Sequence, residues 1–318
     1  MDPKARCGHA STRSAMLSRL FPLFTILLLS ALLGGCSIKH LALSSVADEL
    51  SSGTGGSFTQ DRDLVFVGES LPFALKLMES INSAVPEHQG MKLSLASGFT
   101  QYGVVFVEWP AEQLKFDDYD NYRSGLIRAQ GFYERAANYA LDGLDLTHPG
   151  FRSTILSETA ASLETTTIDD VPLLFWLAAA WLAAISTDLE DPEMFGLMPI
   201  AAATLKRAYE LDPDWDNGAI HEVLISLEPR LPEPGGTERA EQHYLRCLEL
   251  QGGGKAGPHV SLATAVALNA QDKARFVELL EKALAIDLDE HEDARLANDY
   301  AQRRARFLLG HLDDLFWE

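Results

Sequence analysis

Two histidine–glutamate pairs, His221-Glu222 and His291-Glu292, come nearest to a metal-hydrolase signature, because a zinc helix presents two imidazoles one turn apart with a glutamate beside the first. Neither pair has a second histidine at the four-residue step. Both are therefore expected to be solvated or capping residues. Gly252-Gly253-Gly254-Lys255 has the glycines and lysine of a phosphate loop, but the leading glycine spacing, the hydroxyl after the lysine and a preceding strand are all missing. The acid clusters Asp117-Asp118-Tyr119-Asp120 and Asp287 to Asp293 lack the glycine and terminal glutamate of a calcium loop and read as solvated turns. A hydrolase working through two carboxylates needs them about 5 to 10 Å apart in a cleft, and the spacing of acids here favours no pair. Cys247 shares an apolar stripe with Ala240 and Tyr244 and is expected to be a buried, inert thiol. The expectation is a protein that is not an enzyme, with no catalytic residue, metal or cofactor.

One cysteine has a more specific context. Lys4, Arg6, Arg13 and Arg19 precede an apolar run from Leu20 to Leu33, which is followed by Gly34-Gly35-Cys36. The run is shorter than the roughly 20 residues of a bilayer span and reads as an export signal. Leu33-Gly34-Gly35-Cys36 matches a bacterial lipobox, in which small residues admit the backbone to a peptidase and the cysteine thiol takes a diacylglycerol. Residues 1–35 are then a signal peptide, with Met16 as the better start, and Cys36 becomes the lipidated first residue. An ordinary secretory signal is the competing reading. Ser37 after the cysteine points to the outer membrane of a Gram-negative envelope. Residues 36–59, rich in Ser, Gly and Thr, form the expected flexible tether, and residues 60–318 the folded domain.

The whole chain has 318 residues with 47% apolar and 23% charged, enough for a substantial core. Acids outnumber bases 46 to 26. Without residues 1–35 the balance becomes 45 to 22, a net charge of −23, which repels nucleic acid. Three cysteines make neither a disulfide framework nor a four-thiolate metal site.

To hold any site in place the body has helices: apolar residues fall at three- and four-residue steps almost throughout, so the class is all-α. Val104-Val105-Phe106-Val107, the one β-like run, has no partner strand nearby and is read as buried helix. Val171 to Ile185 is apolar on every side and predicts a central helix packed all round, with Pro172 in its first turn and Asp169 or Asp170 as cap. Four segments share one register of small and large residues: Ala136, Ala140, Gly143, Leu146; Ala201, Leu205, Ala208, Leu211; Ala240, Tyr244, Cys247, Leu250; and Phe276, Leu280, Ala283, Ile286. The starts lie 65, 39 and 36 residues apart. A tetratricopeptide unit is about 34 residues, so the expected fold is a tetratricopeptide-like solenoid of helical hairpins. Asp212-Pro213 stops the second segment, Asp272 caps the fourth, and a seam of Ala297, Ala301, Ala305, Leu308, Leu309, Leu312 and Phe316 closes the stack. A ligand site is expected where aromatic and polar groups converge, at Trp176, Trp181, Trp215, Asn217, His221 and Asn298.

Several stretches together carry a resemblance: Leu71-Pro72-Phe73-Ala74-Leu75-Lys76-Leu77; Phe175-Trp176-Leu177-Ala178-Ala179-Ala180-Trp181; Leu205 through Pro213; Gly235-Gly236 with Glu238-Arg239-Ala240; Gln271-Asp272 with Phe276, Leu279 and Leu280; and Asn298, Ala301-Gln302, Arg304-Ala305, Leu308-Leu309 and Phe316. In order and spacing, from about Asp61 to Phe316, the chain resembles the T component family of tripartite ATP-independent periplasmic (TRAP) transporters. The loop at Gln251-Gly252-Gly253-Gly254 is richer in glycine than that pattern. The resemblance implies a periplasm-facing helical scaffold that associates with a solute-binding protein, assembles as a homotrimer with an internal passage, and handles a small hydrophobic or organic-acid ligand. An adaptor lipoprotein in outer-membrane or cell-wall assembly is the alternative.

Overall fold

The structure, a computed structural model, describes residues 44–50 and 56–317; Cys36 and the signal segment lie outside the described residues. Every element among them is helical. Two stretches read as flexible tether are helices, over 44–50 and Gly56–Thr59. The first long helix, α1 (Leu64–Asn82), starts where the Asp63 carboxylate accepts hydrogen bonds from the Val65 and Phe66 amides. The helices that follow are α2 (Gln89–Tyr102), α3 (Tyr119–Thr147), α4 (Val171–Thr187), α5 (Met198–Leu211) and α6 (Trp215–Leu227). Next come α7 (Gly236–Leu250), α8 (Gly257–Leu262), α9 (Lys273–Leu284) and α10 (Arg295–Gly310).

The shared register lies on α3, α5, α7 and α9, and its first three positions are buried in all four helices. The fourth lies at or just past each helix end and is partly exposed, with Leu146 at 41%. Each of these helices packs on the one before it, pairing α2 with α3, α4 with α5, α6 with α7 and α8 with α9. Each also packs on the helix that follows it. The alanines and glycine explain how: Gly143 lies so near α4 that a Cβ would come within 2.9 Å of Leu173. Small residues let backbones approach at these sites, and the large ones beside them fill the gap.

α4 is the hub, in contact with α2, α3 and α5. Among the described residues it belongs to the one stretch, Ile168–Thr187, that is long and apolar enough to cross a membrane, and its packing gives that composition a core role. Its burial differs from the expected all-round packing. Pro172, Trp176, Ala179 and Ala183 are only half-buried, and Ser186 is exposed, so a stripe at helical spacing looks out. The cap differs too. Asp170 sits at the N-cap but turns its carboxylate back to Thr167 in a capping box and to His148 Nε2 at 2.8 Å. α5 does end at Leu211 before Pro213, and Asp272 does cap α9 by accepting from the Arg275 amide at 3.0 Å. Along the terminal seam Ala301, Ala305 and Phe316 are buried, whereas Ala297 is exposed.

The β-like run is helical, but its form is a π-turn. Gly103–Glu108 carries α2 onward into Trp109–Glu112 with one extra residue per turn. Only Val107 of the four residues is fully buried. Phe106 lies over Gly68 of α1, and Gly103 meets the Tyr133 ring of α3 with no room for a side chain, since a Cβ would approach to 2.5 Å.

Candidate functional site

The bulged segment sits beneath the last helix. Trp109 stacks edge-on against Tyr300 and Phe307 of α10 with ring centroids 6.2 and 5.4 Å away, and Phe116 lies over Phe307 and His311. Inside this aromatic frame is a small polar cluster. The Tyr133 hydroxyl, from the core of α3, donates to Glu108. Arg304 of α10 lies 3.5 Å from Glu112, one helical turn past Glu108. Burial, reinforced by the Glu112 charge, pushes the Glu108 carboxyl up to about 7, against the pull of the Tyr133 hydrogen bond and Arg304. Tyr133 and Tyr300 are both raised, chiefly by burial; the Glu108 charge adds to this at Tyr133, while at Tyr300 the Arg304 charge opposes it and Glu112 and Glu108 add to it. Burial alone would lower Arg304; Glu112, Tyr300 and Glu108 outweigh it and raise it. The cluster thus holds one fixed cation, one carboxylate paired with it and one that titrates near neutrality.

On the outer side of the same segment is a groove of about 410 Å³. Tyr102, Val105, Phe106, Trp109 and Pro110 form one wall, Leu64, Val65 and Gly68 of α1 the other, with Glu69, Gln113 and Arg303 at the rim. Trp109 therefore belongs to both groove and cluster. α1 continues the apolar surface outward, with Phe66 60% and Phe73 74% exposed and Leu77 on the same stripe.

The six residues singled out from the sequence do not form one site. Trp176 and Trp215 each lie against Phe175, at 5.0 and 4.8 Å, and are half-buried. Trp181 is buried in the core. Asn217 is exposed in left-handed backbone (φ 52°), between Asp216 (φ 47°) and Gly218 (φ 89°), a turn that Asn and Gly tolerate. His221 is buried rather than solvated: its Nδ1 meets Nδ1 of His243 at 2.8 Å, and Tyr209 stands edge-on to both rings. One neutral imidazole donates and the other accepts. Asp214 lies 4.0 Å from His221 Nε2, and Glu228 4.0 Å from His243 Nε2. His291 is half-buried against Gly254. Cys247 is fully buried and its thiol is pushed up to about 12 by burial and the nearby Glu222 charge, with Lys255 opposing, so it is protonated and unreactive. No group of three or more histidine, cysteine or acidic side chains is placed to hold a metal among the described residues.

Asn298 has a structural task. Buried on α10, it accepts from the Ala256 amide at 2.8 Å and donates to the Gly254 carbonyl at 2.9 Å, clamping the glycine-rich loop to the last helix. Asn298→Ala strands both backbone groups and is expected to cost about 2 to 4 kcal/mol in urea unfolding. An unchanged midpoint would remove that role.

Glu108, Tyr133, Tyr300 and Arg304 were not singled out by sequence reasoning. The visible signals are a lone glutamate inside Val104 to Trp109 and the Tyr300–Arg304 pair one turn apart on α10.

Comparison with known proteins bears on what this framework is for. The family model of the TRAP transporter T-component matches residues 60–316, nearly all of the described body. The chain belongs to the T-component family of TRAP transporters. An uncharacterized protein of Treponema pallidum (strain Nichols) is 30% identical over 304 residues, covering 90% of this chain and 94% of the relative. As a T component the chain is an accessory part of a TRAP system.

Proposed function

We propose that this T component docks a periplasmic solute-binding protein on the outward face of α1 and the adjoining groove. The body hangs in the periplasm from lipidated Cys36, the cysteine of the lipobox Leu33 to Cys36, and Ser37 after it directs the anchor to the outer membrane. One observation carries the docking: α1 is apolar on both sides, with Leu64, Val67, Leu75, Met78 and Ile81 buried and Phe66, Phe73 and Leu77 turned outward. A helix of that kind is ordinarily covered on both faces. The four hairpins stack as a tetratricopeptide-like solenoid, the chain assembles as a homotrimer, and a small hydrophobic or organic-acid ligand passes from the docked subunit. Trp176 and Trp215, flanking Phe175, are its proposed aromatic contacts. The protein performs no catalysis.

Affinity purification of the full chain from its own cells, followed by mass spectrometry, tests this reading. The solute-binding subunit is expected with the native chain and is expected to be lost with Phe66→Glu/Phe73→Glu, whose circular dichroism stays native because both side chains are exposed. Barrel-assembly or cell-wall machinery in its place would overturn the transport reading in favour of an adaptor.

A further inference from the structure

The stretch that the sequence presents as a loose spacer is fastened to the body at two places. At its far end Gln60 is held on the α9–α10 loop. Its carbonyl accepts from Arg295 Nη1 at 2.8 Å, its side-chain amide donates to Asp293 at 2.6 Å, and Arg62 pairs with Asp289 at 2.9 Å. Nearer the amino terminus, in the 44–50 helix, Ala47 is fully buried and Asp48 Oδ1 lies 2.9 Å from His88 Nε2 at the start of α2. The roles in that bond are fixed. His88 caps α2 by accepting the Met91 amide at Nδ1, 3.0 Å away, so the neutral ring carries its hydrogen on Nε2 and donates it to Asp48. Asp48 is mostly exposed, so the bond is weak by itself, and the burial of Ala47 beside it adds to the hold.

We propose that Ala47 and Asp48 make the membrane tether a short leash, and that the α1–α2 turn, residues 83–88, is the face of the body held toward the membrane; this rests on the reading of Cys36 as the lipidated residue. Chain length sets the argument. The 11 residues from Cys36 to Ala47 span at most about 40 Å however they are arranged, whereas the 24 residues from Cys36 to Gln60 reach about 85 Å. A compact domain of this length is about 50 Å across, with about 75 Å over half its circumference. A leash of about 85 Å lets any face turn to the bilayer. One of about 40 Å does not reach round the body, so the surface opposite His88 stays in the periplasm. Asp48, Glu49 and Glu87 are exposed acids beside His88, so reach sets the orientation and attraction to anionic headgroups does not.

Energy transfer from a dye on the protein to an acceptor on lipid headgroups tests the leash. The full lipidated chain is placed in vesicles of phosphatidylethanolamine and phosphatidylcholine, with the lipid on Cys36 checked by mass spectrometry. Ala84→Cys puts the dye on the exposed turn, and Leu245→Cys puts it on α7, which packs on α6 and α8; Cys247 is buried and stays unlabelled. Transfer at position 84 is expected to be at least twice that at position 245. Ala47→Glu/Asp48→Ala alters only the leash and is expected to bring the two values together, while hydrogen exchange rises at residues 47–50 and stays native in α2 and α3. Equal or reversed transfer in the native chain with the lipid present would overturn the leash and leave the anchor reading standing. An unlipidated Cys36 would overturn both, and transfer unchanged in the double variant would overturn the leash alone.

Discussion

Lowering the pH from 7 to 4 is expected to remove several kcal/mol of stability, because buried imidazoles must be charged. His243 is held down to about 4 by burial, then by the charges of His221 and Arg239; His259 is held down to about 4 by burial, then by Lys282. His221 is lowered as well, by burial first. All three side chains lie inside the body, and His259 accepts or donates at 2.8 Å with the Tyr244 hydroxyl. A histidine whose folded value lies below its unfolded value near 6.5 binds protons preferentially when unfolded. Its stabilising contribution is complete above pH 6.5 and is lost as pH falls through 4. Each of the two strongest cases is worth on the order of 3 kcal/mol by pH 4. Glu108 works in the other direction, since its raised value means stability is lost as pH rises from 4.5 through 7. A stability maximum slightly below neutrality follows. Urea midpoints across this range, with His243→Gln and His259→Gln beside the native chain, should show a steep acid limb that flattens in the variants. Imidazole signals titrating near 6.5 would contradict the argument.

Phe276→Ala should be the most damaging single truncation in the C-terminal half. Phe276 is fully buried at the first register position of α9, with the Phe316 ring 5.1 Å away. Its cluster includes Ile225 from α6, Tyr244 and Cys247 from α7, Val260 from α8 and Ala301 from α10, so one ring serves several helices. Removing a buried phenylalanine costs roughly 3 to 5 kcal/mol, from lost transfer energy and the cavity left behind. Phe73→Ala, on the exposed face of α1, serves as control and should change the urea midpoint little. Comparable losses at both sites would mean that the register does not mark the core.

What could be read from the sequence was whatever has a local period. The register at Ala201, Leu205 and Ala208 was visible because a close helix contact needs small residues at fixed steps, and all three are buried. The stop before Pro213 and the cap at Asp272 were visible because each acts within one turn. Position in space was not visible. Val104 to Val107 suggested burial by composition, yet the π-turn exposes part of it to a groove whose other wall is 40 residues earlier, at Val65. His221 looked like a surface residue until His243, 22 residues on, was brought against it. Glu108 depends on Tyr133 and on Arg304, which lies nearly 200 residues away, and no spacing in the chain records that meeting. Trp176 and Trp215 were partly legible: their aromatic type pointed to them, and Phe175 is what joins them.

The docking face admits a direct test. A photo-crosslinking residue placed at position 73 of the full chain, and in a second sample at position 245, which is also exposed, would be irradiated in cells and the adducts identified. Capture of the solute-binding subunit from position 73 and not from position 245 is the result expected of a T component that docks through α1. Capture from position 245 alone, or no adduct with that subunit from position 73, would contradict it.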